Sequence, residues 1–489
     1  MLEDAALLTN PCPDRRVTHR SAAPIPPRPA RAHIALTVLA LTASAVWLAG
    51  PDGVAHAQDV TRPAAITDLG TTPDRVFYVD RAHPSASDAG AGTEAAPWRT
   101  ILKAVKTARA GETVLIKRGT YPENESGAVS VAYSGTAGSP ITFAAYPGDE
   151  RQVIVTGATF RIAGRSHVVV RGLKVTSVTT NTSARGFSIE GPGTNITLSG
   201  NETYATYSSG IGVWGVPWSV DPTNYQHLFN IVIENNLIRR ACDGGYNEFI
   251  TVANGVNNVI VRNNELTESG NTALGGEGID FKEGVFGGQI TGNYVHDMEK
   301  VGIYLDAAGV GIGPGGVEGI DISRNLVRNI ATGEAILVST EGPGSVRNIR
   351  LFNNVVQGAF KNGLVLYRHP LGTGTATGIS FFNNTAYANT RYGVRIDWPA
   401  ATAVVARNNL GYLNGYGDMS VAAGSVATVD HNLSGINPLF VNAALGDFRL
   451  LVGSPAINAG SPTGAPSVDF AGVSRPQGSA FDIGAFERP

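Results

Sequence analysis

Apolar and polar residues alternate along most of this chain, in runs too short for helices. Two ladders of such runs recur. In the first, apolar residues stand five and three positions before an Asn: Ile196-x-Leu198-x-x-Asn201, Ile231-x-Ile233-x-x-Asn236, Val259-x-Val261-x-x-Asn264, Ile320-x-Ile322-x-x-Asn325, Ile349-x-Leu351-x-x-Asn354 and Ile379-x-Phe381-x-x-Asn384. Weaker copies end at Asn293, Asn409 and Asn432, and the steps from Asn to Asn run from 23 to 35 residues. The second ladder falls between these rungs: Gly186-Phe-Ser-Ile-Glu190, Gly210-Ile-Gly-Val-Trp214, Phe249-Ile-Thr-Val-Ala253, Gly278-Ile-Asp-Phe-Lys282, Gly302-Ile-Tyr-Leu-Asp306, Ala335-Ile-Leu-Val-Ser339, Gly363-Leu-Val-Leu-Tyr367 and Gly393-Val-Arg-Ile-Asp397. Alternation with period two predicts strands with one face in and one face out. β-branched residues fill them, and Gly and Asn punctuate their ends.

Two or more short strands in every ~25–30 residues predict a solenoid, with each strand pairing in parallel to its copy ~4.8 Å away. Asn at one fixed place suits both a left-handed turn and a ladder of stacked amides. The leucine-rich framework of the competing solenoid is absent. The expected fold is therefore all-β, a right-handed parallel β-helix, with the hand following the general bias of parallel connections. Repeat arrays end in atypical caps. Residues 97–109 place Trp98, Ile101, Leu102, Val105 and Ala108 at helical spacing, which predicts a helix plugging the N-terminal end. From Pro438 the ladder is lost, which predicts a C-terminal cap.

The N-terminal segment stands apart from this pattern. Arg15, Arg16, Arg20, Arg28 and Arg31 precede an apolar run from Ile34 to Gly50, and Ala55-His56-Ala57 follows. Basic region, apolar region and A-x-A site predict a secretory signal peptide cut after Ala57. The expected organisation is a signal peptide at 1–57, a linker at 58–74, an N-terminal cap and first coils at 75–165, β-helix repeats at 166–437 and a C-terminal cap at 438–489. The mature protein is expected to be secreted, monomeric and free of the membrane. Cleavage would remove Cys12 and leave Cys242 unpaired.

Composition narrows the partners. At 489 residues the length alone suggests about three domains, but Gly is 60 of 489 and only 16% of residues are charged. Both fit one turn-rich solenoid better. A net charge of −3 argues against nucleic acid, which attracts a basic field. Two cysteines make neither a disulfide scaffold nor a Cys-rich metal site.

Phe77-Tyr-Val-Asp80, Pro97-Trp-Arg-Thr100 and Gly119-Thr-Tyr-Pro-Glu123 resemble the opening of secreted bacterial β-helix proteins of the pectin-lyase-like superfamily. Asn437-Pro-Leu-Phe440, Asp447-Phe-Arg-Leu450, Gly453-Ser-Pro-Ala-Ile457, Arg475-Pro-Gln477 and Phe481-Asp-Ile-Gly-Ala-Phe486 are similar to their common C-terminal segment. The resemblance implies the fold and export. It leaves the reaction open, because the superfamily holds lyases, hydrolases, epimerases and adhesins.

Stacking turns the Gly-led ladder into a map. One outward column should read Ser188, Gly212, Thr251, Asp280, Tyr304, Leu337, Val365, Arg395, and the next Glu190, Trp214, Ala253, Lys282, Asp306, Ser339, Tyr367, Asp397. Aromatic and polar groups along one face suit an acidic polysaccharide. Trp214, Tyr304, Tyr367, Arg368, Arg395 and Asp397 are the expected substrate-binding residues. The widened spacings at 214–249 and 306–335, with Trp218 and Tyr225 in the first, are expected to wall this face.

Glu248 should stack on Glu277 and Lys282 on Asp306. Two carboxylates ~5 Å apart need a cation or a proton between them, which makes Glu248 and Glu277 candidate Ca²⁺ ligands. Lys282, near a metal in a partly dry groove, could lose its proton and act as a base. Glu277-x-x-x-x-Lys282 is similar to the Glu…Lys spacing of the calcium-dependent alginate lyase and chondroitinase B family. That resemblance implies a calcium-ligating Glu, a Lys base and β-elimination on a uronate polymer. The family's second Glu falls on Gly275 here, and its catalytic Arg falls on or beside Asp306. The competing enzyme reading is an inverting hydrolase using Asp280 and Asp306, whose Cβ atoms should lie ~8 Å apart. The third is a glycan-binding surface protein without chemistry. His296-Asp297 is expected off this face, as a surface pair.

Overall fold

The computed structural model describes residues 75–123, 127–178, 184–216, 227–270, 275–308 and 316–489. The signal peptide and linker expected at 1–57 and 58–74 lie outside the described residues, as do Trp218 and Tyr225. Among the described residues no helix is long and apolar enough to cross a membrane.

The short alternating runs build three long parallel sheets. The Gly-led strands form an 11-stranded sheet, ending in Ala128–Ser130 and Gly417–Val421. The runs before each ladder Asn form a 13-stranded sheet, from Arg75–Val79 to Thr428–Asp430. The runs after it form a 12-stranded sheet, from Gly119–Pro122 to Leu433–Ser434. Each complete coil gives one strand to each sheet, so the chain is a parallel β-helix. Strands stack like on like: Ile250, Ile279, Ile303 and Ile336 are in register on successive coils and fully buried. One continuous apolar core runs from Phe77 to Ala406. A fully buried side chain of this kind stabilises by about 1.5–3 kcal/mol, and stacking repeats that gain at every coil.

The Asn ladder satisfies the backbone at the corner between the 13- and 12-stranded sheets. Asn264 shows the unit. Its Nδ2 donates to Asn293 Oδ1 at 3.0 Å and to Ile233 O at 3.0 Å, and its backbone N–H donates to Asn293 Oδ1 at 3.0 Å. The same pattern links Asn201, Asn236, Asn264, Asn293, Asn325, Asn354, Asn384, Asn409 and Asn432. The left-handed conformation, expected at these Asn, instead belongs to the residue before each of them, such as Asn235, Asn263, Gly292 and Arg324. The turn bends one residue early, and this aims the ladder amide inward at the next coil.

Glycine opens the strands of the 11-stranded sheet because the coils approach closely there. A Cβ at Gly278 would stand 2.3 Å from Gly302 O, and one at Gly363 would stand 2.5 Å from Gly393 O.

At the N-terminal side, Ile101–Thr107 is helical, shorter than the 97–109 pattern, with Thr100 accepting from Lys103 N–H as its cap. Its Ile101, Ala104 and Val105 join the main core. At the other end, Phe440–Asn442 and Asp447–Leu450 pair antiparallel. This segment leans on the corner residues: Asn353 and Asn383 donate amides to Val468 O and Asp482 O, at 2.7 and 3.0 Å. Arg475 and Glu487 form a wholly buried ion pair there.

Candidate functional site

Both outward columns form in the expected register. Ser188, Gly212, Thr251, Asp280, Tyr304, Leu337, Val365 and Arg395 follow one another on successive coils, and so do Glu190, Trp214, Ala253, Lys282, Asp306, Ser339, Tyr367 and Asp397. The middle of this outward face is nonetheless dry: Thr251, Asp280 and Asp306 are 0%, 2% and 7% exposed. Charge at these positions must therefore be compensated.

The compensation differs from the sequence expectation. Lys282 does not pair with the stacked Asp306. Its Nζ lies 2.5 Å from Glu248 Oε1 and 3.5 Å from Asp280 Oδ2. Thr251 Oγ1 donates to the other Glu248 oxygen at 2.7 Å. That uses the Thr251 proton, so Ser209, 2.8 Å away, is the donor to Thr251. Both Glu248 oxygens are thus engaged, and the cation beside Glu248 is the Lys282 ammonium. Glu277 sits 3.9 Å from Lys300 Nζ, and burial, then the Glu248 charge, push its carboxyl above the usual range. Ammonium groups thus stand beside both carboxyls that were expected to share a bridging Ca²⁺, Lys282 at Glu248 and Lys300 at Glu277.

Lys282 was expected to lose its proton and act as a base. Burial opposes its charge, but Glu248 and Asp280 outweigh burial and hold the ammonium well above its ordinary range. A base needs the neutral amine, and this geometry favours the ion. The carboxyls behave oppositely. Burial raises Asp280 well above the ordinary value, against the pull of Lys282. Asp306 is pushed up to about 8, by burial first and by the Glu341 charge next. Asp280 Oδ1 and Asp306 Oδ1 are buried and have no hydrogen-bond partner among the described residues.

Three contributors escaped the sequence. Ser209 lies in the loop before a Gly-led strand, and Thr251 was only a column member without a role. Glu341 follows the strand Ile336–Thr340 and accepts from Tyr304 Oη at 3.1 Å. No periodicity marks Glu341, because it lies in the turn beyond the strand.

The flanks carry the expected substrate groups. Trp214 has the Arg185 guanidinium 5.0 Å from its ring. Gly212 makes room for both: a Cβ there would be 2.5 Å from Arg185 Cδ and 2.8 Å from Trp214 Nε1. Tyr304, Leu337 and Val365 form a small apolar strip, with Tyr367 packed against it. Arg368 donates to Gly372 O at 3.0 Å. Arg395 pairs with Asp397 at 2.5 Å, three coils from Asp306 and so ~14 Å along the axis. His296 lies off this face, on the 12-stranded sheet between Glu265 and Asp297. Cys242 is a buried free thiol.

Comparison with known proteins places this geometry among β-helices. A family model described as "Pel9A-like, right handed beta helix region" matches residues 77–230. The chain is 30% identical over 131 residues to the uncharacterized protein YwoF of Bacillus subtilis (strain 168), spanning 24% of this chain and 27% of that protein. It is 39% identical over 74 residues to the pectate lyase PEL9 of Emericella nidulans, spanning 15% of this chain and 17% of that protein. Each match thus covers under a third of the curated relative. Among solved structures, pectate lyase Pel9A superposes with a TM-score of 0.55 at 18% identity, covering 86% of this chain and 98% of its own. XylC in complex with xylose gives 0.54 at 13% identity, with 84% and 99% covered. At these identities the likeness is one of fold, a right-handed parallel β-helix.

Proposed function

We propose that this protein is an exported enzyme that cleaves a uronic-acid-containing polysaccharide by β-elimination on the outward face of the 11-stranded sheet. The observation that carries the reading is the buried set of Asp280, Lys282 and Asp306 on two adjacent coils, held by Glu248. The stretches of sequence similarity to a pectate lyase and to the Pel9A-like family support the reaction class.

The residues divide the chemistry as follows. The Lys282 ammonium neutralises the uronate carboxylate and so acidifies the adjacent C5 proton. The reaction requires Asp280 as the carboxylate: ionised beside the Lys282 ammonium at 3.5 Å, it takes that proton, and a C4–C5 double bond forms as the C4–O4 bond breaks. Asp306, held neutral up to about pH 8, gives its proton to the departing O4. Lys282 thus serves as the charge partner, and a carboxylate serves as the base. Trp214, Tyr367, Arg368, Arg395 and Asp397 line the outer subsites. No step is assigned to calcium.

One observation favours a second reading. An Asp held neutral to about 8 beside a further carboxyl is also the equipment of an inverting hydrolase. Absorbance near 235 nm separates the two when the protein is incubated with pectate, alginate and glycosaminoglycans. β-Elimination yields unsaturated uronates that absorb there. Reducing ends released without that absorbance would establish hydrolysis instead, and binding without turnover would leave a glycan-binding protein. Repeating the assay with a chelator tests the cation: lost activity would mean that calcium displaces Lys282 from Glu248.

A further inference from the structure

The 13-stranded sheet carries a second groove, which no part of the reaction above uses. Seven consecutive strands of this sheet, from Gly193–Ser199 to Ala376–Phe382, each contain one residue of left-handed conformation. They stack into a column, Asn195, Asn230, Asn258, Gly287, Gly319, Asn348 and Gly378, with φ between 52° and 70°, continued by His167 and Ala403 just before the flanking strands. One such kink per coil folds the outward face inward along a line parallel to the solenoid axis. Where the column is Asn, side chains fill the fold: Asn258 Nδ2 donates to Asn230 Oδ1 at 2.7 Å, and Asn230 Nδ2 to Asn195 Oδ1 at 3.1 Å. At Gly287 and Gly319 nothing fills it, and an added Cβ would meet no atom closer than 3.7 Å.

The result is a polar cleft of about 530 Å³ over five coils. Its wall is a register column of Gln289, Asp321, Arg350 and Ser380. Arg350 Nε donates to Asp321 Oδ1 at 2.7 Å, so the pair adds hydrogen-bonding groups without net charge. On the same line toward the N-terminus lies a second cleft of about 320 Å³, with Val169 and Val232 on its floor. Its last Asn, Asn230, hydrogen-bonds to Asn258, the first of the polar cleft.

We propose that this groove is a second, non-catalytic binding site for a polysaccharide chain lying along the solenoid axis. Sugar chains present hydroxyls at the ring edge and apolar C–H faces above and below. Amide, carboxylate, guanidinium and hydroxyl groups beside apolar patches match that alternation. The balance of charge disfavours a nucleic acid, which needs a basic field. The polar wall disfavours an amphipathic helix, which needs an apolar groove. The identity of the polymer rests on the reading above. A binding site on a separate sheet would keep the polymer attached while the other face cuts it, by raising its effective concentration.

The test uses electrophoresis of the protein through gels containing polygalacturonate or alginate. Two variants disrupt the groove at exposed or half-buried positions: the double change Asp321→Ala/Arg350→Ala, and Ser380→Trp, which fills the cleft. Both should keep the wild-type melting profile. The proposal expects wild-type migration to be retarded, and the retardation to fall at least fivefold in both variants. Turnover of a short oligosaccharide should not change. Absence of retardation in the wild type, or equal retardation in the variants, overturns the groove whether or not the protein cleaves. Groove-dependent retardation without cleavage overturns the enzyme reading and leaves the groove standing.

Discussion

Lys282 reaches across to the preceding coil, and its ammonium lies 2.5 Å from Glu248 Oε1 in a region almost without solvent. The two residues are 34 apart in sequence. Their contact organises the carboxyl groups around it, because one positive charge answers Glu248 directly and Asp280 at 3.5 Å.

Removing only one partner should be costly. Lys282→Ala leaves Glu248 and Asp280 buried without a counter-charge, so stability should drop by about 3–5 kcal/mol. Activity should fall by about 10²–10⁴-fold. The double variant Glu248→Gln/Lys282→Met should recover most of the stability and none of the activity. Urea unfolding of the three proteins checks this, and a stable Lys282→Ala would refute the pairing.

Asp306 should make the protein lose stability as pH rises. Its pKa is about 8 when folded, against roughly 3.9 when unfolded. Between those values the folded state holds a proton that the unfolded state has lost, so stability declines with rising pH across that window. Asp306→Asn cannot ionise, and its melting temperature should fall less between pH 5 and 9 than that of the wild type. Wild-type turnover should also decline on the alkaline side with an apparent pKa near 8. Parallel melting curves for the two proteins would contradict the assignment.

The buried Asn ladder should contribute measurably to stability. Asn293→Ala removes the acceptor of Asn264 N–H and Nδ2, and the donor to Val261 O and Asn325. Buried polar groups left unpaired cost about 1–3 kcal/mol each. We expect a loss of at least 2 kcal/mol in chemical denaturation, with the fold kept. Substitution of the solvated neighbour Asp297 should cost far less.

Gly278→Ala should destabilise although φ at this position is not left-handed. The new methyl would meet Gly302 O at 2.3 Å, and overpacking of this kind costs about 1–3 kcal/mol. Gly319→Ala tests a different effect, because its cost is backbone strain at φ +70, the methyl meeting Gly287 only at an ordinary contact distance of 3.7 Å. Comparing the two melting temperatures separates crowding from strain.

Much of this molecule is legible in one dimension. Period-two alternation assigns each residue to an inner or outer face, and repetition at nearly fixed intervals assigns it to a coil. Parallel stacking then places residue on residue, which is why the columns through Asp280 and Lys282 match the structure rung for rung. The ladder Asn was legible for the same reason, but its turn was placed one residue late. Asn235-Asn236 and Asn353-Asn354 read alike, and only the backbone shows which member takes the left-handed angle. The candidate chemistry divides along the same line. Register alone brings Glu248, Glu277, Asp280, Lys282 and Asp306 together. Which of them pair, and which hold protons, depends on side-chain direction and on how dry the face is. A column read from sequence treats an outward residue as solvated. Tertiary structure buries the centre of this outward face: the Glu248 and Asp280 charges hold the Lys282 ammonium against that burial, and burial pushes the Asp306 carboxyl up to about 8. Glu341 and the groove on the 13-stranded sheet lie beyond the sequence for a related reason: both arise at turns and kinks, where the strand period that carries the sequence signal is interrupted.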